Sequence, residues 1–186
     1  MTLANQLTLF RIALIPLFVV IFYLPFKWSY PVSAVVFALA AITDWFDGYV
    51  ARKYNQSTAF GAFLDPVADK LMVAAALVLL VGVHANAWFA IPAVIIVGRE
   101  IVISALREWM AELGQRASVA VSYIGKIKTT MQMVAIIILL AFSPDAAPIW
   151  NQLGYLTLYI AAGLTLWSMV LYLKAAWPIL MENGKE

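Results

Sequence analysis

The chain has 186 residues, no cysteine and a formal net charge of +2; 65% of its residues are hydrophobic and its mean hydropathy is +0.91. One water-soluble core of this size needs far less apolar surface, so the bilayer enters as part of the solvent. The missing cysteines exclude a disulfide scaffold and a thiolate metal site, and the small net charge gives no reason to expect nucleic acid as a partner.

The opening, MTLANQLTLFRIALIPLF, lacks the basic region and small-residue cleavage site of a secretory signal and is read as mature protein. No linker, repeat or low-complexity segment interrupts the chain, which points to a single domain over residues 1–186. Crossing the hydrocarbon takes roughly 20 mostly apolar residues in helical form. Six stretches meet that length, centred near Leu17, Leu39, Ala75, Ile95, Ile136 and Leu164. The expected fold is therefore all-α, a polytopic membrane protein with six transmembrane helices.

The first span is expected from about Leu7 to Phe26, preceded by a short amphipathic stretch at about 1–11 with Asn5, Thr8 and Arg11 on one helical face. A turn at Lys27 to Pro31 leads to a second span ending near Tyr49, and the basic loop ARKYNQSTAFGAF returns toward a third, about Leu64 to Val83. HANAW turns into a fourth, about Trp88 to Leu106, where Pro92 near the start is tolerated because an N-terminal helical turn lacks the hydrogen bond that proline removes. The polar stretch REWMAELGQRASVAVSYIGKIK follows, and its first half can continue the fourth helix. A fifth span is expected from about Ser122 to Phe142 and a sixth from about Ile149 to Leu173, with WPILMENGKE as a tail.

Basic residues beside the spans orient the chain. With six spans, Arg11, Arg52, Lys53, Arg107, Arg116, Lys126, Lys128, Lys174 and Lys185 fall on one side, against Lys27 and His84 on the other. The asymmetry places both termini in the cytoplasm. A soluble helical protein whose helices are apolar all round is the competing reading.

The chemistry concentrates in DWFDGYVARKYNQSTAFGAFLDPVADK, where four aspartates, Asp44, Asp47, Asp65 and Asp69, cap otherwise apolar spans. Spacings of three and four residues put each pair on one side of its helix, and the short connection can bring the pairs face to face. Carboxylates sharing a small volume repel one another, and divalent cations relieve the repulsion. Oxygen donors with no cysteine and no nearby histidine suit magnesium or manganese better than zinc. Four such carboxylates can hold two ions about 3.5 to 4 Å apart, as in phosphoryl transfer.

Gly48 and Gly61 would let a phosphate or nucleotide group approach the helix backbones, with Ala51 serving the same end. Arg52 would offer charge-assisted hydrogen bonds to phosphate. Helix packing for the glycines and a purely topological role for Arg52 are the plainer alternatives. Arg107, Arg116, Lys126 and Lys128 form a second, basic cluster suited to an anionic acceptor, against the alternative of headgroup contact. Arg99 and Glu100 lie deeper in the fourth span and are expected to pair with other helices. His84 reads as a surface turn residue.

Asp44, Asp47, Gly48, Ala51, Arg52, Gly61, Asp65 and Asp69 match, without a departure, the pattern D-x2-D-G-x2-A-R-x8-G-x3-D-x3-D, eight fixed positions across 26 residues. In this the chain resembles the CDP-alcohol phosphotransferases. ALREWMAELG and IGKIKTTMQM extend the likeness over nearly the whole chain, toward the bacterial branch that uses CDP-diacylglycerol and sn-glycerol 3-phosphate. The resemblance implies a six-helix enzyme of the bacterial inner membrane, usually a homodimer among membrane lipids, with its active site open to the cytoplasmic leaflet. It implies that Asp44, Asp47, Asp65 and Asp69 bind two Mg2+ or Mn2+ ions and that Asp69 is the general base. Gly48, Ala51, Arg52 and Gly61 match positions that accommodate the CDP-lipid; Asn5, Thr8 and Arg11 match a stretch close to the nucleotide site. Arg107, Arg116, Lys126 and Lys128 resemble the pocket for the acceptor's phosphate.

The expected reaction is phosphatidyl transfer to sn-glycerol 3-phosphate, giving phosphatidylglycerophosphate and CMP by direct displacement. A sister enzyme using serine or inositol phosphate would carry the same motif. A cation- or proton-coupled transporter is a rival of another class, because intramembrane carboxylates also mark ion paths. Against it, no ionisable residue continues the path to the opposite side, and no inverted repeat is evident.

Overall fold

The computed structural model describes residues 3–53, 59–113 and 123–183. These form six α-helices and no strand: α1 (Leu3–Phe22), α2 (Ser29–Lys53), α3 (Ala59–His84), α4 (Ala87–Glu112), α5 (Tyr123–Ala141) and α6 (Pro148–Asn183). Each expected span centre lies within one of them. Among the described residues four helices are long and apolar enough to cross a membrane, through Asn5–Phe22, Phe63–His84, Ala87–Glu112 and Pro148–Pro178. Helices α2 and α5 carry shorter apolar segments, Ser29–Asp44 and Ile127–Ala141.

Contacts divide the chain into two compact units, Met1–Ala85 with Ile136–Gly154, and Asn86–Ala135 with Tyr155–Glu186. In the first, α1 packs against α2 and α3. Phe18 is fully buried, its ring 6.4 Å from Phe22 and 6.3 Å from Phe37 of α2. Small buried residues, Ala40 on α2 and Ala68 and Ala76 on α3, permit close helix approach. In the second unit, Phe89, Ala93, Ile96, Arg99, Ile103 and Met110 make one buried stripe along α4, at the spacing a helix needs to keep one face turned inward.

Helix ends follow local chemistry. Pro25 cannot donate a backbone hydrogen bond and disfavours helical geometry in Leu24 before it, so α1 stops at Phe22, short of the expected Phe26. The chain then turns on Ser29, whose backbone N–H and hydroxyl both donate to the Phe26 carbonyl. Asn86 caps α4 by accepting from the Phe89 N–H at 2.9 Å. Ala85 before it takes φ 44°, a left-handed conformation in which its Cβ is strained.

Two sequence expectations need correcting. Pro92 is not in the first turn of α4, because the helix begins at Ala87. The carbonyl that proline leaves without its helical partner, Trp88 O, instead accepts from the Tyr159 hydroxyl at 2.8 Å. The expected tail after Leu173 is helical: α6 runs through Trp177 and Pro178 to Asn183, about 54 Å in all. The polar stretch after Leu106 continues the fourth helix, as the sequence allows: α4 extends to Glu112, about 39 Å against roughly 30 Å of hydrocarbon.

Large apolar side chains face outward, and several polar ones are buried beside the apolar core. Val94 is 69% exposed and Trp88 72%, while Arg11 is 1% exposed and Thr8 fully buried. Apolar surface turned outward and polar groups turned inward is the arrangement a lipid solvent favours.

Candidate active site

The site is built on three helices of the first unit. Asn5, Thr8 and Arg11, at three-residue spacing, form one buried polar face of α1. Thr8 Oγ1 donates to Asp65 Oδ1 on α3 at 2.6 Å. Arg11 Nη1 makes a charge-assisted hydrogen bond to Asp44 Oδ1 on α2 at 2.5 Å. One helical face thus ties an aspartate of each neighbouring helix to the same support. Burying a guanidinium costs several kcal/mol unless it is paired, and Asp44 supplies the opposite charge.

Asp44, Asp65 and Asp69 are all partly exposed. Asp65 and Asp69 are one turn apart on α3, and Gly61, one turn before Asp65, is buried. Asp47, Gly48, Ala51 and Arg52 lie on α2, but their side chains fall outside the described residues. The structure therefore brings Thr8 to Asp65 and Arg11 to Asp44, with Asn5 on the same buried face of α1.

The family resemblance implies a divalent metal. Donor chemistry fits one: Asp44, Asp65 and Asp69 offer only carboxylate oxygens, and the single histidine, His84, is 15 residues beyond Asp69, about 22 Å along α3. Oδ2 of Asp44 and of Asp65 makes no hydrogen bond among the described residues. Among those residues no three of His, Asp and Glu are grouped closely enough to hold a metal; the fourth carboxylate of the motif, Asp47, lies outside that description.

The basic residues fall in the second unit. Arg107 on α4 is exposed and donates to the Tyr172 hydroxyl at 3.0 Å, with its guanidinium 5.2 Å from the ring centroid. Lys128 on α5 is buried and pairs with Glu100 at 3.0 Å. Lys126 lies on α5 with its side chain outside the described residues, and Arg116 is wholly outside them. Arg99 and Glu100, expected to pair with other helices, do so: Glu100 with Lys128, and Arg99 Nη2 with Ser168 Oγ on α6 at 3.5 Å. Sequence reasoning did not place these two in the basic cluster, although adjacent charges inside an apolar span are the signal that marks them.

Comparison with known proteins bears on the whole chain. The sequence profile of the CDP-alcohol phosphatidyltransferase family matches residues 1–172. A CDP-diacylglycerol–glycerol-3-phosphate 3-phosphatidyltransferase from Pseudomonas fluorescens is 58% identical over 100% of this chain and 95% of its own length. Proteins with the same name from Salmonella typhimurium and Sodalis glossinidius are 61% identical over 95% of this chain and 96% of their length, and 56% over 98% and 99%, respectively. The aspartate pairs, the α1 face that supports them and this end-to-end similarity agree: the chain belongs to the CDP-alcohol phosphatidyltransferase family.

Proposed function

We propose that this chain transfers the phosphatidyl group of CDP-diacylglycerol to sn-glycerol 3-phosphate, releasing CMP. The relatives that carry the name of this activity support it over nearly their full length. The observation that carries the mechanism is the bracing of Asp44 and Asp65, from different helices, by Arg11 and Thr8 of α1. Separate carboxylates become one preorganised anionic site, and preorganisation is what electrostatic catalysis needs.

In this reading residues 1–186 act as one catalytic domain with six spans, in the bacterial inner membrane, both termini cytoplasmic, as a homodimer among membrane lipids. Asp44, Asp47, Asp65 and Asp69 would hold Mg2+ or Mn2+, two ions in the full site, which when bound supply charge neutralisation for the diphosphate and the departing CMP. Asn5, Thr8, Arg11, Gly48, Ala51, Arg52 and Gly61 receive the CDP head while the acyl chains stay in the bilayer. Arg107, Arg116, Lys126 and Lys128 bind the acceptor's phosphate.

Asp69 takes the proton of the acceptor's 1-hydroxyl. The resulting oxygen attacks the phosphorus nearer the diacylglycerol, the bond from that phosphorus to the CMP oxygen breaks, and CMP leaves with the electron pair. No histidine stands near to act as nucleophile, so direct displacement is preferred to a covalent intermediate.

The test is incorporation of labelled acceptor into extractable lipid by the purified protein, offered glycerol 3-phosphate, serine or inositol 1-phosphate with CDP-diacylglycerol. Incorporation of glycerol 3-phosphate alone is the expected result. Incorporation of serine or inositol phosphate in its place would keep the chemistry and overturn the named acceptor.

A further inference from the structure

The second unit holds a charged cluster built around one carboxylate oxygen. Glu100 Oε1 accepts from Arg99 Nη1 at 2.6 Å and from Lys128 Nζ at 3.0 Å, so α4 and α5 are joined through a single atom. Arg99 and Lys128 are both buried. Without Glu100, two like charges would share a poorly solvated volume, where their repulsion is weakly screened.

The cluster is not saturated by protein groups. Among the described residues Arg99 Nε is buried with no hydrogen-bond partner. A buried donor left unpaired is costly, and it calls for a missing partner. Charge points to its nature. The Tyr172 ring lies 5.8 Å from the Arg99 guanidinium and 5.2 Å from that of Arg107. Arg99, Arg107 and Lys128 against Glu100 leave two positive charges, whereas a phosphate monoester carries about −1.5 to −2 at neutral pH.

We infer that Glu100 is a positioning residue for the acceptor's phosphate: it holds Arg99 and Lys128 together as a paired cationic seat, and Arg99 presents to the phosphate an edge that no group among the described residues fills. This role rests on the assignment of the basic cluster to a phosphorylated acceptor. Removing the Glu100 charge lets the two cations separate, which weakens acceptor binding without touching the CDP-lipid.

The experiment uses the full-length protein in detergent micelles and compares Glu100→Gln, Glu100→Asp and Lys128→Met with wild type, measuring KM for glycerol 3-phosphate and for CDP-diacylglycerol separately. Glu100→Gln is expected to raise the glycerol 3-phosphate KM by about tenfold or more while the CDP-diacylglycerol KM stays within about twofold, with partial recovery in Glu100→Asp. An unchanged glycerol 3-phosphate KM in folded Glu100→Gln, or an equal rise in both KM values with a matching loss of kcat, would overturn the role. Should the Gln variant fail to fold, folded Glu100→Asp decides: a selective KM rise supports the role and an unchanged KM overturns it. Lys128→Met separates the two levels. If it raises the glycerol 3-phosphate KM and the Glu100 variants do not, only the Glu100 role falls; if neither does, the acceptor assignment falls with it.

Discussion

Arg11 is the residue on which the first unit's polar chemistry turns. It is almost completely buried, on a helix whose neighbouring residues are mostly apolar, and its contact with Asp44 joins α1 to α2. Replacing Arg11 with Met keeps the packing volume and removes the charge. Hydrogen bonds to charged groups contribute about 1.5–3 kcal/mol, so the variant is expected to lose roughly ten- to a hundredfold in kcat/KM for CDP-diacylglycerol, measured as CMP release. Retention of full activity would show that α1 braces nothing essential. The spacing of Asn5, Thr8 and Arg11 made their common face legible in the sequence. Their partners were not, because spacing along one helix carries no information about which residues of another helix it meets.

At the scale of elements, hydropathy located every helix but not its ends. It reports where lipid begins, whereas helices continue for as long as backbone bonds are made; hence α4 reaches Glu112 and α6 reaches Asn183, past the span ends expected near Leu106 and Leu173. Proline effects were legible only in part: the sequence shows that Pro92 removes a donor, but not that Tyr159 would satisfy the carbonyl left over. Close helix approach was equally invisible. A Cβ added at Gly154 near the start of α6 would lie 2.6 Å from Leu139 Cγ and Cδ2 on α5, and Leu139 is itself buried. Gly154→Ala is therefore expected to lower stability by about 1–3 kcal/mol through overpacking, read as a lower thermal unfolding midpoint in detergent. Leu139→Ala in the same chain should recover much of that loss, and a neutral single variant would contradict the close contact.

At the scale of the whole molecule, composition favoured a lipid-solvated protein over a water-soluble one, and the outward-facing Val94 and Trp88 give that inference a structural form. The motif from Asp44 to Asp69 was legible because its spacing is rigid. The part played by Arg99 and Glu100 was not, because it depends on Lys128 and Ser168 reaching them from other helices. In the proposed reaction the motif carboxylates perform a metal-assisted phosphatidyl transfer. CMP release from CDP-diacylglycerol, with glycerol 3-phosphate and with magnesium or manganese supplied or chelated, tests it most directly when wild type is compared with Asp65→Asn and Asp69→Asn. Release is expected to require the divalent cation and to fall by at least about a hundredfold in both variants. Undiminished release from folded Asp65→Asn and Asp69→Asn, or full activity under chelation, would contradict it.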